Sequence, residues 1–379
     1  MIHFSVSRSG NTRRIKDCRL ITADDYNSRA SFILLHCHAF IRLQLSEVIC
    51  GQFPRKGKVN MLKKRKIAII GLGHVGTHCA YALALSGLVD ELVFVDNKEA
   101  KLRSEVQDIR DAISNCPHTV SVHSANYEDL ADVDIIVNAI GKIELLATPN
   151  HDRLDEMNFT IPQVTDYVPK VIAGGFNGLW INITNPCDVV TGQIARLSGL
   201  PRNHVFGTGT GLDTARLKNI LYQQTGVAHN SISGCMMGEH GNSIMIPWSQ
   251  ISFGGQPLAD LAKKDSRFVF DNDAVKKQAV ANAWVTVDGK GCTEYGICTT
   301  LCRLVAAILH DEKAIIPVST LLDGEYGEHG VFVGVPAVIG ADGVEQIIEY
   351  DLPEDEKAAF HACCDDVREN MKLHPMILQ

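Results

Sequence analysis

Two short stretches of this 379-residue chain carry side chains that could move a proton and hold an anion. Gly238-Glu239-His240-Gly241-Asn242-Ser243 sets a histidine between glycines, where the backbone can turn tightly and expose the ring. Gly211-Leu212-Asp213-Thr214-Ala215-Arg216-Leu217 sets an acid and an arginine three residues apart at the expected start of a helix, which puts both on one face. A base, a carboxylate-binding cation and a donor to a developing carbonyl oxygen, gathered beside a hydride acceptor, are what the oxidation of a 2-hydroxy acid requires. Taken singly, each residue has a plainer reading. Any one of 15 histidines is far more often structural than catalytic. An acid near a helix start is usually a cap or dipole partner, and an arginine beyond it a surface ion pair.

The hydride acceptor has its own signature. The apolar run Lys66–Ile70 reads as a buried parallel strand, and it leads directly into Gly71-Leu72-Gly73-His74-Val75-Gly76. A helical pattern follows, with Cys79, Ala80, Leu83 and Ala84 on one side and Gly87 at its end. A second strand over residues 92–95 delivers Asp96, 20 residues after Gly76. In this strand–turn–helix–strand context Gly71 permits the tight turn, Gly73 lets a pyrophosphate approach the backbone, and Gly76 lets helix and strand pack closely. The amides at the helix start hold phosphates without a positive side chain. Asp96 takes the ribose hydroxyls and repels a 2′-phosphate, which favours NAD over NADP. Further buried strands are expected over residues 134–140 and 179–184, ending at Gly141 and at Asn185-Pro186. The fold class is therefore α/β, with a doubly wound parallel sheet whose ligands lie beyond the carboxyl ends of its strands.

The composition fits that class: 45% hydrophobic and 21% charged, ordinary globular material with length for two domains. A net charge of −8 argues against a nucleic-acid surface. The 12 cysteines are scattered, with no Cys-x-x-Cys pair, so no zinc knuckle is expected; most read as small core residues in a reducing compartment. Cys363 and Cys364 fall in what reads as a surface helix. No stretch reaches the ~20 apolar residues of a membrane span; residues 31–41 are short, are broken by His36 and His38, and lack the layout of a secretory signal. The cytoplasm is the expected location.

Residues 1–60 show no sustained period and no paired elements. They read as upstream sequence translated from an early start, since Arg55-Lys56-Gly57-Lys58 is what a purine-rich ribosome-binding stretch would encode just before Met61. A basic targeting arm is the weaker reading.

From Met61 onward the chain resembles the L-lactate/malate dehydrogenase family, and is most similar to its L-2-hydroxyisocaproate dehydrogenase branch. Residues 71–76, Asp96, Asn185-Pro186, residues 207–216, residues 238–243 and Gly289-Lys290-Gly291-Cys292-Thr293-Glu294-Tyr295-Gly296 carry the likeness, six motifs in order. The resemblance implies an NAD-dependent enzyme in which His240 accepts and donates the proton and Asp213 holds its tautomer. It further implies that Arg216 grips the substrate carboxylate with both guanidinium nitrogens, a task for which lysine is poorly shaped. Asn185 would sit beside nicotinamide and substrate oxygen, its bond to Pro186 cis, and Thr293 would lie against the substrate. The loop after Gly141 would close Arg153 over the substrate carbonyl. The implied domains are a Rossmann unit over residues 61–206 and a mixed α/β catalytic domain over residues 207–379, in a homotetramer or dimer.

The loop departs from the common lactate and malate pattern. It is longer, and neither the arginine of malate enzymes nor the glutamine of lactate enzymes has a clear counterpart in Lys142-Ile143-Glu144-Leu145-Leu146-Ala147-Thr148-Pro149. Leu145 and Leu146 offer apolar surface instead, and each methylene of a substrate buried against it contributes ~0.8 kcal/mol. A dicarboxylate is therefore disfavoured, and an acid such as 2-oxoisocaproate is expected ahead of pyruvate. Family members activated by fructose 1,6-bisphosphate use an arginine and a histidine where this chain has Lys218 and Ser233, so no such activation is expected. An NAD-dependent glycosidase, which shares the fold lineage, would need a metal held by cysteine and histidine near Pro186. Cys187 is in place, but no matching histidine motif accompanies it, and His204 reads as a surface residue. No metal is expected. A non-catalytic NAD-binding scaffold would show damage to the set His240, Asp213, Arg216 and Arg153, and all four are present.

Overall fold

The structure, a computed structural model, describes residues 2–9, 12–20, 63–145 and 153–377. The chain forms two compact units, Met1–Lys63 and Lys64–Gln379. In the first, β1 (Ile2–Ser9) pairs antiparallel with β2 (Thr12–Leu20). This corrects the expectation of no paired elements before residue 60. Ile2, Phe4 and Val6 alternate with His3, Ser5 and Ser7, the period of a strand, and Gly10-Asn11 between the two runs is a turn-forming pair.

The second unit is organised by a nine-stranded sheet. Its parallel part begins with β3 (Lys66–Ile70), which pairs on one side with β4 (Glu91–Val95) and through it with β5 (Ser121–Ser124). On its other side lie β6 (Ile135–Asn138), β7 (Leu179–Asn182) and β8 (Val205–Gly207). Numbered from β3, the spatial order is 3-2-1-4-5-6, the doubly wound arrangement expected from the sequence. Both faces are covered. Ala68 and Ile70 join one buried cluster and Ile67 and Ile69 another, so a continuous apolar run serves two cores at once. The crossovers are α1 (His74–Ser86), α2 (Glu99–Ile113), α3 (Met157–Ala173) and α4 (Cys187–Ser198). The buried face of α1 includes Cys79, Ala80, Leu83 and Ala84, and Gly87 caps it in the left-handed region, as the pattern predicted.

Beyond β8, α5 (Gly211–Thr225) and the short strands β9 (Ile232–Ser233), β10 (Ser252–Phe253) and β11 (Gln256–Pro257) close a smaller core with α6 (Leu258–Ala262) and α7 (Asn272–Lys290). After α8 (Tyr295–Leu309) the chain returns to the large sheet. The antiparallel strands β12 (Ala314–Asp323), β13 (His329–Gly340) and β14 (Gly343–Ile347) extend it from the β8 edge, where Ser319 pairs with Gly207. The sheet therefore runs straight through the expected boundary after Phe206.

The last helix, α9 (Glu354–Met371), corrects another expectation. Cys363 and Cys364 do not lie on a surface helix but are buried in the main core beside Phe360 and Val367. The nine cysteines from Cys79 to Cys364 are free thiols, most of them buried. No single helix among the described residues is long and apolar enough to cross a membrane.

Candidate active site

A cleft of about 590 Å³ opens at the carboxyl ends of β3, β4, β6 and β7. Its lining joins Gly71, Gly73 and Asp96 at one end to Asn185, Arg216, His240 and Thr293 at the other. Of the catalytic and binding residues predicted from the sequence, three do not line it: Gly76, which packs beneath the turn, Asp213, and Arg153.

The three glycines divide their roles by geometry. Gly71 has φ +94°, and a Cβ on it would lie 2.8 Å from the Ile140 nitrogen. A Cβ on Gly76 would sit 2.0 Å from the Gly71 carbonyl oxygen, so helix and strand can pack only without it. A Cβ on Gly73 would meet nothing within 4 Å. The protein's own packing does not explain Gly73, which faces the cleft where a pyrophosphate would approach. Asp96 braces the turn, its Oδ2 accepting from the Leu72 N–H at 2.8 Å and its Oδ1 from the Lys98 N–H at 2.8 Å. These residues fit an NAD cofactor.

At the other end the chemistry depends on side chains. The start of α5 does place Asp213 and Arg216 on one face: Arg216 Nη1 donates to Asp213 Oδ1 at 2.5 Å. Asp213 Oδ2 lies 2.6 Å from His240 Nδ1, so one buried carboxylate bridges the imidazole and the guanidinium. The histidine rides on a rigid segment. Gly238 exchanges both backbone hydrogen bonds with Gly334 of β13, at 2.9 and 2.8 Å. The Glu239 carboxylate accepts from Ser243 and from Asn370 Nδ2.

A second carboxylate, absent from the sequence reading, lies behind this one. Asp188, in the first turn of α4, is buried; its Oδ2 accepts from the His240 backbone N–H at 2.7 Å and its Oδ1 from Ser319 Oγ at 2.5 Å. Burial pushes its carboxyl up to about 7 against the pull of those two hydrogen bonds.

Asn185 follows β7 and precedes a cis peptide bond to Pro186. Thr184 Oγ1 donates to the Ile140 carbonyl at 2.7 Å, which ties this strand end to that of β6. The loop after Gly141 begins with a 3₁₀ turn, Ile143–Leu145, and returns through another, Arg153–Glu156. Leu146 and Pro149 lie outside the described residues. Ile143 lines the cleft whereas Leu145, half-buried, does not. Lys142 and Glu144 also line it, so the loop brings charges of both signs. Leu154, next to Arg153, borders a small cavity with Pro186 and His240.

Among the described residues one group of donors is close enough to share a metal ion, His74, Cys292 and Glu294, within 4.8 Å of one another. Lys290 already pairs with that glutamate at 2.5 Å. The glycosidase reading gains nothing: Cys187 is buried and burial pushes its thiol up to about 12.

Residues 65–207 match the lactate/malate dehydrogenase NAD-binding domain, and residues 210–376 match the alpha/beta C-terminal domain of the same enzymes. The chain belongs to the lactate/malate dehydrogenase family. It is 40% identical over 306 residues to L-lactate dehydrogenase of Fusobacterium nucleatum, covering 80% of this chain and 95% of that enzyme. It is also 40% identical over 311 residues to L-lactate dehydrogenase 1 of Bifidobacterium longum, covering 82% and 98% of the two chains. The minor L-lactate dehydrogenase of Enterococcus mundtii, in its ligands-bound form, superposes with a TM-score of 0.77 at 34% identity, over 83% of this chain and all of that one. The protein is thus an NAD-dependent 2-hydroxy-acid oxidoreductase. The relatives named here are L-lactate dehydrogenases, and the hydroxyisocaproate branch is not singled out among them.

Proposed function

We propose that this dehydrogenase interconverts a small 2-oxo monocarboxylic acid and its L-2-hydroxy acid, with pyruvate and L-lactate as the principal pair. The observation that carries this reading is the Asp213 carboxylate, which holds His240 by one oxygen and Arg216 by the other. With Nδ1–H donated to Asp213, the Nε2 of His240 is the nitrogen that exchanges a proton with the substrate oxygen. Asp213 stabilises the imidazolium that forms when the alcohol is oxidised. Arg216 binds the substrate carboxylate through its planar fork. Asn185 donates to the substrate oxygen, Thr293 packs against the substrate, and Arg153 polarises the carbonyl when the loop closes. Gly71, Gly73, Gly76 and Asp96 hold the dinucleotide, which when bound supplies or takes up the hydride. We place the enzyme in the cytoplasm as a homo-oligomer.

The names of its relatives support pyruvate. A second reading, 2-oxoisocaproate, is favoured by Ile143, which gives the loop's cleft-facing side an apolar residue. Glu144 and Glu156 also line the cleft and would repel a distal carboxylate, which weighs against oxaloacetate. NADH oxidation with pyruvate, 2-oxoisocaproate and oxaloacetate in parallel tests the ranking. The highest kcat/KM on pyruvate is expected. Highest efficiency on 2-oxoisocaproate would favour the second reading, and a preference for oxaloacetate would overturn both.

A further inference from the structure

Beside the glycine turn stands a group of side chains that the hydride chemistry does not use. His74 is the first residue of α1, and Cys292 and Glu294 lie in the segment between α7 and α8. One donor atom from each of the three lies within 4.8 Å of the other two. His74 and Cys292 both line the cleft, as does Thr293, which stands between Cys292 and Glu294 in the chain. Glu294 divides its oxygens. Its Oε2 holds Lys290 Nζ at 2.5 Å, while its Oε1 lies 3.5 Å from His74 Nδ1, too far for a good hydrogen bond. His78 is also near that oxygen, at 3.6 Å, but its Nδ1 is taken by the His74 carbonyl oxygen at 2.6 Å.

Imidazole, thiolate and carboxylate are the three side-chain ligands that zinc takes, and in a tetrahedral shell neighbouring ligand atoms stand about 3.5 Å apart. The group therefore needs to close by only about 1 Å. Cys292 and Glu294 are largely buried and form the fixed half, whereas the His74 side chain is 69% exposed and free to swing inward. Burial first of all pushes the Cys292 thiol up to about 11, so it keeps its proton until a cation displaces it to solvent. Thiolate and carboxylate then neutralise a divalent ion, and water completes the shell. We propose that His74, Cys292 and Glu294 form an inhibitory site for a thiophilic divalent cation, zinc, which ties the glycine turn to the segment that carries Thr293. With the ion in place, the cofactor turn and the substrate side of the cleft are cross-linked, and turnover falls. The inhibitory effect rests on the roles given to the glycine turn and to Thr293 under Proposed function; the binding of the ion does not.

Two measurements on the full-length protein test the proposal. In the first, cobalt(II) replaces zinc as a coloured probe and is titrated into protein stripped with a chelator. A thiolate-to-cobalt charge-transfer band and the strong visible bands of a tetrahedral ion are expected. Both should be lost in Cys292→Ala and weakened at least about tenfold in apparent affinity in His74→Ala. Because His74 is exposed, its variant should melt like wild type, which keeps the test independent of folding. In the second, zinc is titrated into the NADH-dependent reduction of pyruvate. Both variants should keep the basal rate and need at least about tenfold more zinc for half-inhibition. A cobalt spectrum without the thiolate band, or the same spectrum in Cys292→Ala, would overturn the site. So would zinc inhibiting the variants as strongly as wild type. Cobalt bound through Cys292 with turnover indifferent to zinc would overturn the inhibition. Failure to reduce pyruvate at all would count against the proposed substrate, while the cobalt titration would still decide the site.

Discussion

At the proposed cofactor end of the cleft, the geometry is built from backbone: a left-handed glycine, a helix packed against a strand, and amides at a helix start, with Asp96 as the side chain that braces the turn. At the substrate end it is built from side chains, with Asp213, Asp188 and Glu156 each buried and each holding a neighbour in place. Backbone recognition depends on shape, so it fails when atoms are added. A side-chain site depends on charge and proton position, so it fails when groups are removed and it responds to pH.

The largest expected effect comes from removal at the substrate end. His240→Ala should lower kcat by about 10⁴-fold, the scale of losing a general base in a preorganised site, while NADH titrated by fluorescence binds as before. A loss of cofactor affinity of similar size would erase the division between the two ends. Next come additions at the cofactor end. Gly76→Ala places a methyl 2.0 Å from the Gly71 oxygen and should lower the melting midpoint together with NADH binding. Gly73→Ala meets no protein atom within 4 Å, so it should melt like wild type yet bind NADH about tenfold more weakly. Equal behaviour of the two variants would mean that shape does not explain the turn.

A subtler test lies in pH. The Asp188 carboxyl stands at about 7 in the folded protein and near ~3.9 in an unfolded chain. Between those values the folded state keeps a proton that the unfolded chain has released. Its contribution to stability is complete below the lower value and is lost as pH rises through the upper one. Asp188→Asn should therefore flatten the decline of the melting midpoint between about pH 5 and pH 7; an unchanged slope would assign the pH dependence elsewhere. The smallest effect expected is none. Fructose 1,6-bisphosphate should leave the KM for pyruvate unaltered, and a clear shift would show that Lys218 and Ser233 suffice for an anion site.

The cofactor end was legible because its constraints are local. Lys66–Ile70, the glycines and Asp96 lie within one crossover unit, and their spacing specifies their arrangement. Asp213 and Arg216 were legible as neighbours on a helix, but their meeting with His240 is a tertiary event that only the family resemblance supplied. Asp188 and Glu156 were not foreseen. Each precedes or opens a helix, where an acid is ordinary, and what distinguishes them is a partner far away in sequence, such as Ser319 for Asp188. The extension of the sheet by β12, β13 and β14 was missed for the same reason, since pairing at an edge leaves no local mark. Cys363 and Cys364 were misplaced because α9, rich in acids, hides its buried face behind a polar composition.

The continuity of the sheet across Gly207 also bears on how enzymes of this kind can be recombined. A chimaera joined between residues 207 and 210 would exchange the two matched domains as modules, yet the cut falls inside one hydrogen-bonded surface. Ser319, which pairs with Gly207 and donates to Asp188, belongs to the second module, while Asp188, which holds the backbone of His240, belongs to the first. Grafting a new substrate half onto this cofactor half therefore requires that the Ser319–Asp188–His240 seam be carried over as a unit, whatever the similarity of the remaining surfaces.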